Sequence, residues 1–560
     1  MLTFKSIKMK KIFLYSSIAL TAFLSSCSDL DDNISPNNVD PSLISPRQTL
    51  SASENLVLVA QAGTMTSLSN LWTNTWAGNN FYFGNPSTRE YSLDISNTFG
   101  TGIWSSSYNA ANNLQQIINN GDKLPLHSAI AKILKAYTLQ YVVDFYGDAP
   151  YSEAFQGQNN LTPKYDDDAA IYRNLVTGIN EAIAAIPDAS TPIPGDIAVN
   201  ANEDNIFGGD MQKWKKFAKN IKLKILLRQS KVTDPTVRSF VDAQLQTLAG
   251  ADPTNFWLED VAVNPGFSVK NGSTPNPFYN NYGAFLYDGS ATNTNGWRLY
   301  KAAQYYANAV NGISYGLASR DLRGSRMFRR MTTGDGLQSA ANVAGIQQGA
   351  AKTSASEWSV SYLGGVFIGS EDYVPYTSDV STSNVYYGYY YADSASKNDV
   401  AAKGGSANGY LALASENQLL LSEAAVLYPT IFTFDAQTRY NAAVNNSFSF
   451  YGLTSAQATA YLSGINTTSV GWTLSTNKIA AIQFQRLASL ANLRAVETYI
   501  NFLKTGYPAI PLALNAIYPN KPYRLIYPSS EYVGNSSNVP NVSQAQVFAK
   551  NQYTPFWNQN

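Results

Sequence analysis

A chain of 560 residues with a single cysteine and a single histidine cannot be stapled by an intrachain disulfide or a Cys-x-x-Cys redox pair. Nor can it build a Cys₄, Cys₂His₂ or His₃ metal site from its own side chains. A Ser-His-Asp or Cys-His centre would have to use His127, the only imidazole. With 39 basic and 39 acidic groups, the charge balance gives no reason to expect a nucleic-acid partner. Carboxylate chemistry or plain binding survives these exclusions. The 37 Tyr, 25 Phe and 9 Trp, set among only 14% charged residues, lean towards binding.

The position of the one cysteine adds more. Lys5, Lys8, Lys10 and Lys11 form a basic run without acids, followed by an apolar stretch from Ile12 to Leu24. Thirteen residues are too few to span roughly 30 Å of hydrocarbon as a helix, so residues 1–26 read as a cleaved signal peptide. Either Met1 or Met9 can serve as its start. Leu24-Ser25-Ser26-Cys27 resembles a bacterial lipobox, which makes Cys27 the expected lipidation site, palmitate included. Buried acyl chains, at ~0.8 kcal/mol per CH₂, would anchor the protein firmly. Loss of the leader leaves 35 basic against 39 acidic groups. Residues 27–46, rich in Asp, Asn, Ser and Pro, read as a flexible tether, with Asp29, Asp31 and Asp32 placed like a surface-export signal.

From residue 47 to 560 the periodicity is mainly helical. Helices are predicted over 99–120, 126–146, 166–186, 211–230, 236–248, 297–311, 408–428, 435–446 and 476–504. Trp214, Phe217, Ala218, Ile221 and Ile225 define the apolar face of 211–230, and its lysines (Lys213, Lys216, Lys219, Lys222) read as the solvated sides of a surface helix. The Ala/Leu spacing of 126–146 and 408–428 is similar to tetratricopeptide helices, although no clean 34-residue repeat emerges. Segments 252–296 and 330–406 are rich in Gly, Ser, Asn, Thr and Tyr, and long irregular stretches of this kind are where a site is expected.

Several of these blocks together resemble the SusD/RagB family of outer-membrane nutrient-binding lipoproteins. They are the lipobox, Tyr141-Val-Val-Asp-Phe-Tyr-Gly-Asp-Ala-Pro-Tyr-Ser-Glu-Ala-Phe155, Lys213-Trp214-x-x-Phe217-Ala218, Ser415-Glu416 through Glu423-Ala424-Ala425, Ile479–Gln485, Glu497, Lys504-Thr-Gly-Tyr-Pro508 and Tyr523-Arg-Leu-x-Tyr-Pro-x-x-Glu531. Lys504 departs from the family's usual arginine, and the helix before it lacks the usual tryptophan. The resemblance implies a mainly α fold, a tetratricopeptide-like helical-hairpin scaffold with a loop-rich ligand-binding part. It implies no enzyme activity and no cofactor. The implied role is capture of an oligosaccharide, or in one branch a peptide, and delivery to a TonB-dependent, SusC-like barrel from the outer face of the outer membrane.

Sugar binding needs aromatic faces for ring C–H groups and amides or charges for hydroxyls. The segment Trp72 to Phe83 holds five aromatics interleaved with Asn and Gly, so Trp72, Trp76, Asn79, Tyr82 and Arg89 are candidate ligand residues. Tyr287, Trp297 and Tyr373, from two further aromatic clusters, complete the candidate set. His127 reads as a cap or surface residue. Asp166-Asp167-Asp168 suits a helix N-terminus better than a metal site, because the spaced acidic calcium loop is absent. Asp321 with Arg320 and Arg323 reads as a structural turn. A secreted glycoside hydrolase with two flanking carboxylates, and a structural surface protein without ligand, are the rival readings from other classes.

Overall fold

The computed structural model describes residues 45–559 except 82, 83, 85, 269–272, 284–295, 318, 330–341, 353–359, 364–384, 387, 388 and 391–403. The expected signal peptide, Cys27 and the tether up to residue 44 lie outside the described residues, as do Tyr82, Tyr287 and Tyr373. The chain from Pro46 onward is a single unit.

Several of its helices start where short polar side chains cap free N–H groups. Asp167 accepts from Ala170 N, Asp210 from Gln212 and Lys213 N, Asp234 from Thr236 and Val237 N, and Asn477 from Ile479 and Ala480 N. The scaffold comprises α1 (Pro46–Ala60), α2 (Thr66–Trp72), α3 (Thr101–Asn119), α4 (Pro125–Tyr146), α5 (Asp168–Ala185), α6 (Met211–Arg228) and α7 (Pro235–Gln246). It continues with α8 (Ala414–Leu427), α9 (Ala436–Phe450), α10 (Ser455–Ile465), α11 (Lys478–Leu490) and α12 (Ala495–Thr505). Sequential helices pack as hairpins: α3 on α4, α4 on α5, α8 on α9, α9 on α10 and α11 on α12. This is the expected tetratricopeptide-like scaffold, with α6 and α8 joining its two ladders.

Short strands carry the loop-rich part. β1 (Trp76–Gly78), β3 (Tyr300–Ala302), β5 (Tyr362–Leu363) and β4 (Phe328–Arg329) form an antiparallel sheet in that order. β2 (Val261–Val263) pairs with β8 (Gly409–Ala412), and β6 (Val385–Tyr386) with β7 (Tyr389–Tyr390).

Three predicted helices are corrected by these strands and by one turn. The 297–311 segment is not continuous: Gly296–Leu299 is one helical turn, Tyr300–Ala302 pairs with β1, and only Gln304–Val310 is helical again. Residues 409–412 of the predicted 408–428 helix are likewise a strand, with Val261 opposite Ala412. Helix 476–504 breaks at 491–494, where Asn492 takes φ 70°, a left-handed conformation that ends α11 and turns the chain into α12.

The α6 helix is central rather than superficial. Lys222 and Lys224 are buried along with Trp214, Phe217 and Ile221, while Lys213 is exposed. His127 also departs from its surface reading. It is fully buried on α4, with Nε2 3.0 Å from Glu203 Oε2. Burial lowers the imidazole pKa, against the opposing pull of Glu203. The Asp321 turn is structural as expected, its carboxylate gripping the buried Arg323 at 2.6 Å.

A charge-balanced network lies where α4, α6, α8 and α12 meet. Lys224 contacts Glu416 at 2.7 Å and Glu497 at 3.1 Å, Arg228 contacts Asp144 at 3.2 Å and Glu497 at 3.3 Å, and Arg494 contacts Glu416 at 2.8 Å. Tyr141 Oη donates to Glu497 at 2.6 Å and Tyr172 Oη to Asp144 at 2.5 Å. Beside it, Glu423 pairs with Arg486 at 2.7 Å and with Lys504. Lys504, the departure from the usual arginine, thus forms a buried ion pair with Glu423.

Candidate functional site

The segment richest in candidate residues is built from the inside out. Trp72 ends α2 with its indole stacked on Phe99 at 5.9 Å and tilted against Tyr499 at 5.1 Å. A turn through Asn74, at φ 56°, leads into β1. Trp76 then points inward, donating Nε1–H to Asn492 Oδ1 at 2.6 Å between the rings of Tyr282 and Tyr300. Trp72 is 2% exposed and Trp76 0%, so neither presents a ring face to a ligand. Their predicted stacking role is corrected to a framework role.

Asn492 explains this inward turn. Its backbone N–H donates to Asn70 Oδ1 at 2.9 Å, its carbonyl accepts from Asn70 Nδ2 at 3.1 Å, and its own Nδ2 holds Met327 O at 3.1 Å. The α11–α12 turn thus locks the 70–76 turn, and the left-handed residue that breaks the helix also seats the tryptophan.

Asn79 is fully buried as well: its N–H donates to Leu299 O at 2.7 Å and its Oδ1 accepts from Phe81 N at 3.2 Å. It shapes the turn, which corrects its ligand assignment. Arg89 is half exposed, but its guanidinium is committed locally to Ser96 Oγ at 2.7 Å, the Asp94 carboxylate at 3.6 Å and the Phe99 ring face at 5.4 Å. Trp297 lies in the turn of helix before β3; its side chain is outside the described residues.

What the geometry gathers instead is a cleft beyond β1. The buried Gln348 donates from Nε2 to Leu71 O at 2.7 Å and Trp76 O at 2.6 Å, pinning the 342–352 loop onto the strand. Leu514 N–H donates to Gln348 O at 3.0 Å and Ile517 N–H to Ser92 O at 3.2 Å, bringing in the 511–518 loop. Gly78 allows the close approach, because a Cβ there would lie 2.7 Å from Pro86 Cγ. The resulting cleft holds about 20 Å³, room for one water or one hydroxyl, between Gly78, Asn80, Tyr91, Gln347, Gly349 and Asn515. Asn80 is 5% exposed; its Nδ2 donates to Ala350 O and Ala351 O at 3.1 Å, while its Oδ1 has no hydrogen-bond partner. Flanking Asn515, Leu514 and Ile517 are 62% and 66% exposed.

Sequence reasoning missed Asn80, Leu514 and Ile517 as site residues. The available signal was the apolar run Leu512–Ile517, which sits outside any helical or alternating pattern between two proline-rich turns.

The carboxylates are arranged for structure. Burial would raise Glu416 and Glu497, but the cations around them outweigh it and hold both below their usual range. In the acidic trio Asp148, Asp167 and Asp168, Asp148 Oδ1 accepts from Asp168 N at 3.0 Å, Asp167 Oδ1 from Ala170 N at 2.8 Å and Asp168 Oδ2 from Phe556 N at 2.8 Å. Asp167 caps the helix, as the sequence pattern suggested for its run, while Asp148 and Asp168 hold neighbouring backbone N–H groups.

Residues 36–263 match a family model, SusD-like, described as starch-binding and associating with outer membrane. That stretch of the chain is thus similar to the SusD-like family. The fold is shared with solved SusD homologues. A chitin-binding SusD homologue from Flavobacterium johnsoniae superposes with a TM-score of 0.62 at 16% identity, covering 91% of this chain and 98% of that one. A SusD homologue from Bacteroides fragilis gives 0.62 at 17% identity over 92% and 99%, and one from Bacteroides thetaiotaomicron 0.60 at 18% over 93% and 100%. No curated protein matches this chain by sequence.

Proposed function

We propose that this SusD-like protein is a non-catalytic, surface-exposed lipoprotein that captures an oligosaccharide at the loop face beyond β1 and passes it to a TonB-dependent outer-membrane barrel. The observation that carries the binding site is Asn80. It lines the cleft with an unpartnered amide oxygen, which a sugar hydroxyl would satisfy. The cleft admits a hydroxyl but no ring, so the ring would lie across the rim, against the apolar surface of Leu514 and Ile517. The 80–89 loop, with Tyr82 and Arg89, remains the proposed source of aromatic and charged contacts, and Tyr287, Trp297 and Tyr373 are proposed to line the same face.

The family match over residues 36–263 and the chitin-binding structural neighbour support a glycan ligand. Attachment through a lipidated Cys27 fits the family's outer-membrane association, and among the described residues no helix is long and apolar enough to cross a membrane. Glu416 and Glu497, held ionised amid cations, suit structure rather than acid catalysis.

Isothermal titration against chitin- and starch-derived oligosaccharides and a peptide mixture tests the reading, with Asn80→Ala as the site variant. Saturable glycan binding weakened by Asn80→Ala supports it. Heat from peptides alone would replace it with the peptide-binding branch of the family, and release of cleaved products from labelled oligosaccharides would replace it with hydrolysis.

A further inference from the structure

A cavity lies away from the loop face. It holds about 360 Å³ between α3, α4 and α5, near the lower end of the roughly 300–1,000 Å³ typical of small-molecule sites. A second space of about 220 Å³ adjoins it, sharing Ile118, Lys132 and Glu181 as a common wall. The space exists because small residues face each other: Ala136 on α4, and Gly178 on α5, where an added Cβ would meet nothing within 4 Å.

Lys135 dominates the lining. Its ammonium donates to Gln115 Oε1 at 2.6 Å and sits 4.9 Å from the Tyr151 ring centre and 4.6 Å from that of Phe155. Among the described residues no carboxylate forms an ion pair with it; the nearby Glu181 is taken by Lys132 at 2.6 Å. Burial pushes the Lys135 ammonium down to about 8, so it is still mostly charged at neutral pH. Asn174 and Thr177 add an amide and a hydroxyl to the wall. An ammonium held by one amide and two ring faces, without a counter-ion, is costly unless something anionic joins it.

We propose that this cavity is a second ligand site, separate from the loop face, for a small anionic polyol of the sugar-acid class. Lys135 receives the carboxylate, and Gln115, Asn174 and Thr177 face the hydroxyls. Its size matches one sugar unit, and its one uncompensated charge is positive.

The test uses the purified protein at pH 7 with sodium glucuronate as probe, and glucose and acetate as controls, read by isothermal titration and ligand-observed NMR. Two variants separate the proposal from a folding defect. Lys135→Met keeps the stem against the rings and removes the charge. Gly178→Leu fills the cavity at a helical position with open space and is expected to leave the melting temperature unchanged or higher. Saturable glucuronate binding is expected, weakened about tenfold or more by either variant, with glucose and acetate each at least about tenfold weaker. Both variants should retain oligosaccharide capture at the loop face, whereas Asn80→Ala should leave glucuronate binding intact. The proposal is overturned if wild type shows no saturable glucuronate binding, if either variant binds it as wild type does, or if glucose or acetate binds equally well.

Discussion

Glu497→Gln probes whether the buried ion network is a structural keystone. The carboxylate meets Lys224, Arg228 and Arg494 at 3.1, 3.3 and 3.7 Å and accepts from Tyr141 Oη at 2.6 Å, with 0% exposure. Glutamine keeps the shape and an acceptor for Tyr141, so the perturbation is charge. It leaves three cations facing Glu416 and Asp144 alone. Removing one partner of a buried pair typically costs about 3–5 kcal/mol, because the remaining charge stays desolvated. With an unfolding entropy of about 2.1 cal/mol/K per residue over about 515 residues, that loss lowers the melting temperature by about 3–5 °C. The sign with pH is also fixed. Burial would raise the Glu497 pKa, but Lys224, Arg228 and Arg494 hold it well below the usual range. Its stabilisation is therefore present above about pH 4.5 and falls by roughly 1.4 kcal/mol per unit below it. Thermal and denaturant unfolding of both proteins from pH 7 to 3 measures this. A melting temperature within about 1 °C of wild type at pH 7, or a stability gap that stays constant down to pH 3, would refute the reasoning.

Three further outcomes follow from the same geometry. Trp76→Ala is expected to cost about 3–5 kcal/mol in denaturant unfolding, with the folded fraction still binding ligand, since the indole is a core residue bonded to Asn492; binding lost at unchanged stability would return it to the site. Leu514→Ser with Ile517→Ser should leave stability within about 0.5 kcal/mol per site and weaken glycan capture, as titration would show, because both side chains are exposed beside the cleft. Asp168, pushed up to about 7 by burial and then by Asp148, binds a proton in the fold that the unfolded chain releases near pH 4. Wild-type stability therefore falls as pH rises from about 4 to 7, and Asp168→Asn should be more stable than wild type by a few kcal/mol at most at pH 8, yet nearly equal at pH 4, in parallel melts.

The scaffold was legible because its signals are local. Apolar residues at helical spacing placed α3 to α7, α9 and the two halves of α11–α12 within a few residues, and the order of motifs pointed to the family. The strands that interrupt 297–311 and 408–428 were not legible, because pairing is decided by distant partners: Tyr300–Ala302 becomes extended only where β1 lies alongside it. The same non-locality misled the site assignment. Five aromatics within twelve residues satisfy the composition of a sugar platform, and nothing local tells which rings face inward. That was settled by Asn492, more than 400 residues away, which accepts the Trp76 N–H and fixes the turn before it. Lys222 and Lys224 show the converse. A lysine reads as solvated until the partners that bury it, Asn180 and Thr247 for one and Glu416 and Glu497 for the other, arrive from other helices. Where charge and aromatic surface are both plentiful, identity thus locates the segment and long-range hydrogen bonds select the face. Asn80 at the loop face, with its unpartnered amide oxygen, and Lys135 between the helices, with no carboxylate partner among the described residues, are the residues proposed to meet a ligand.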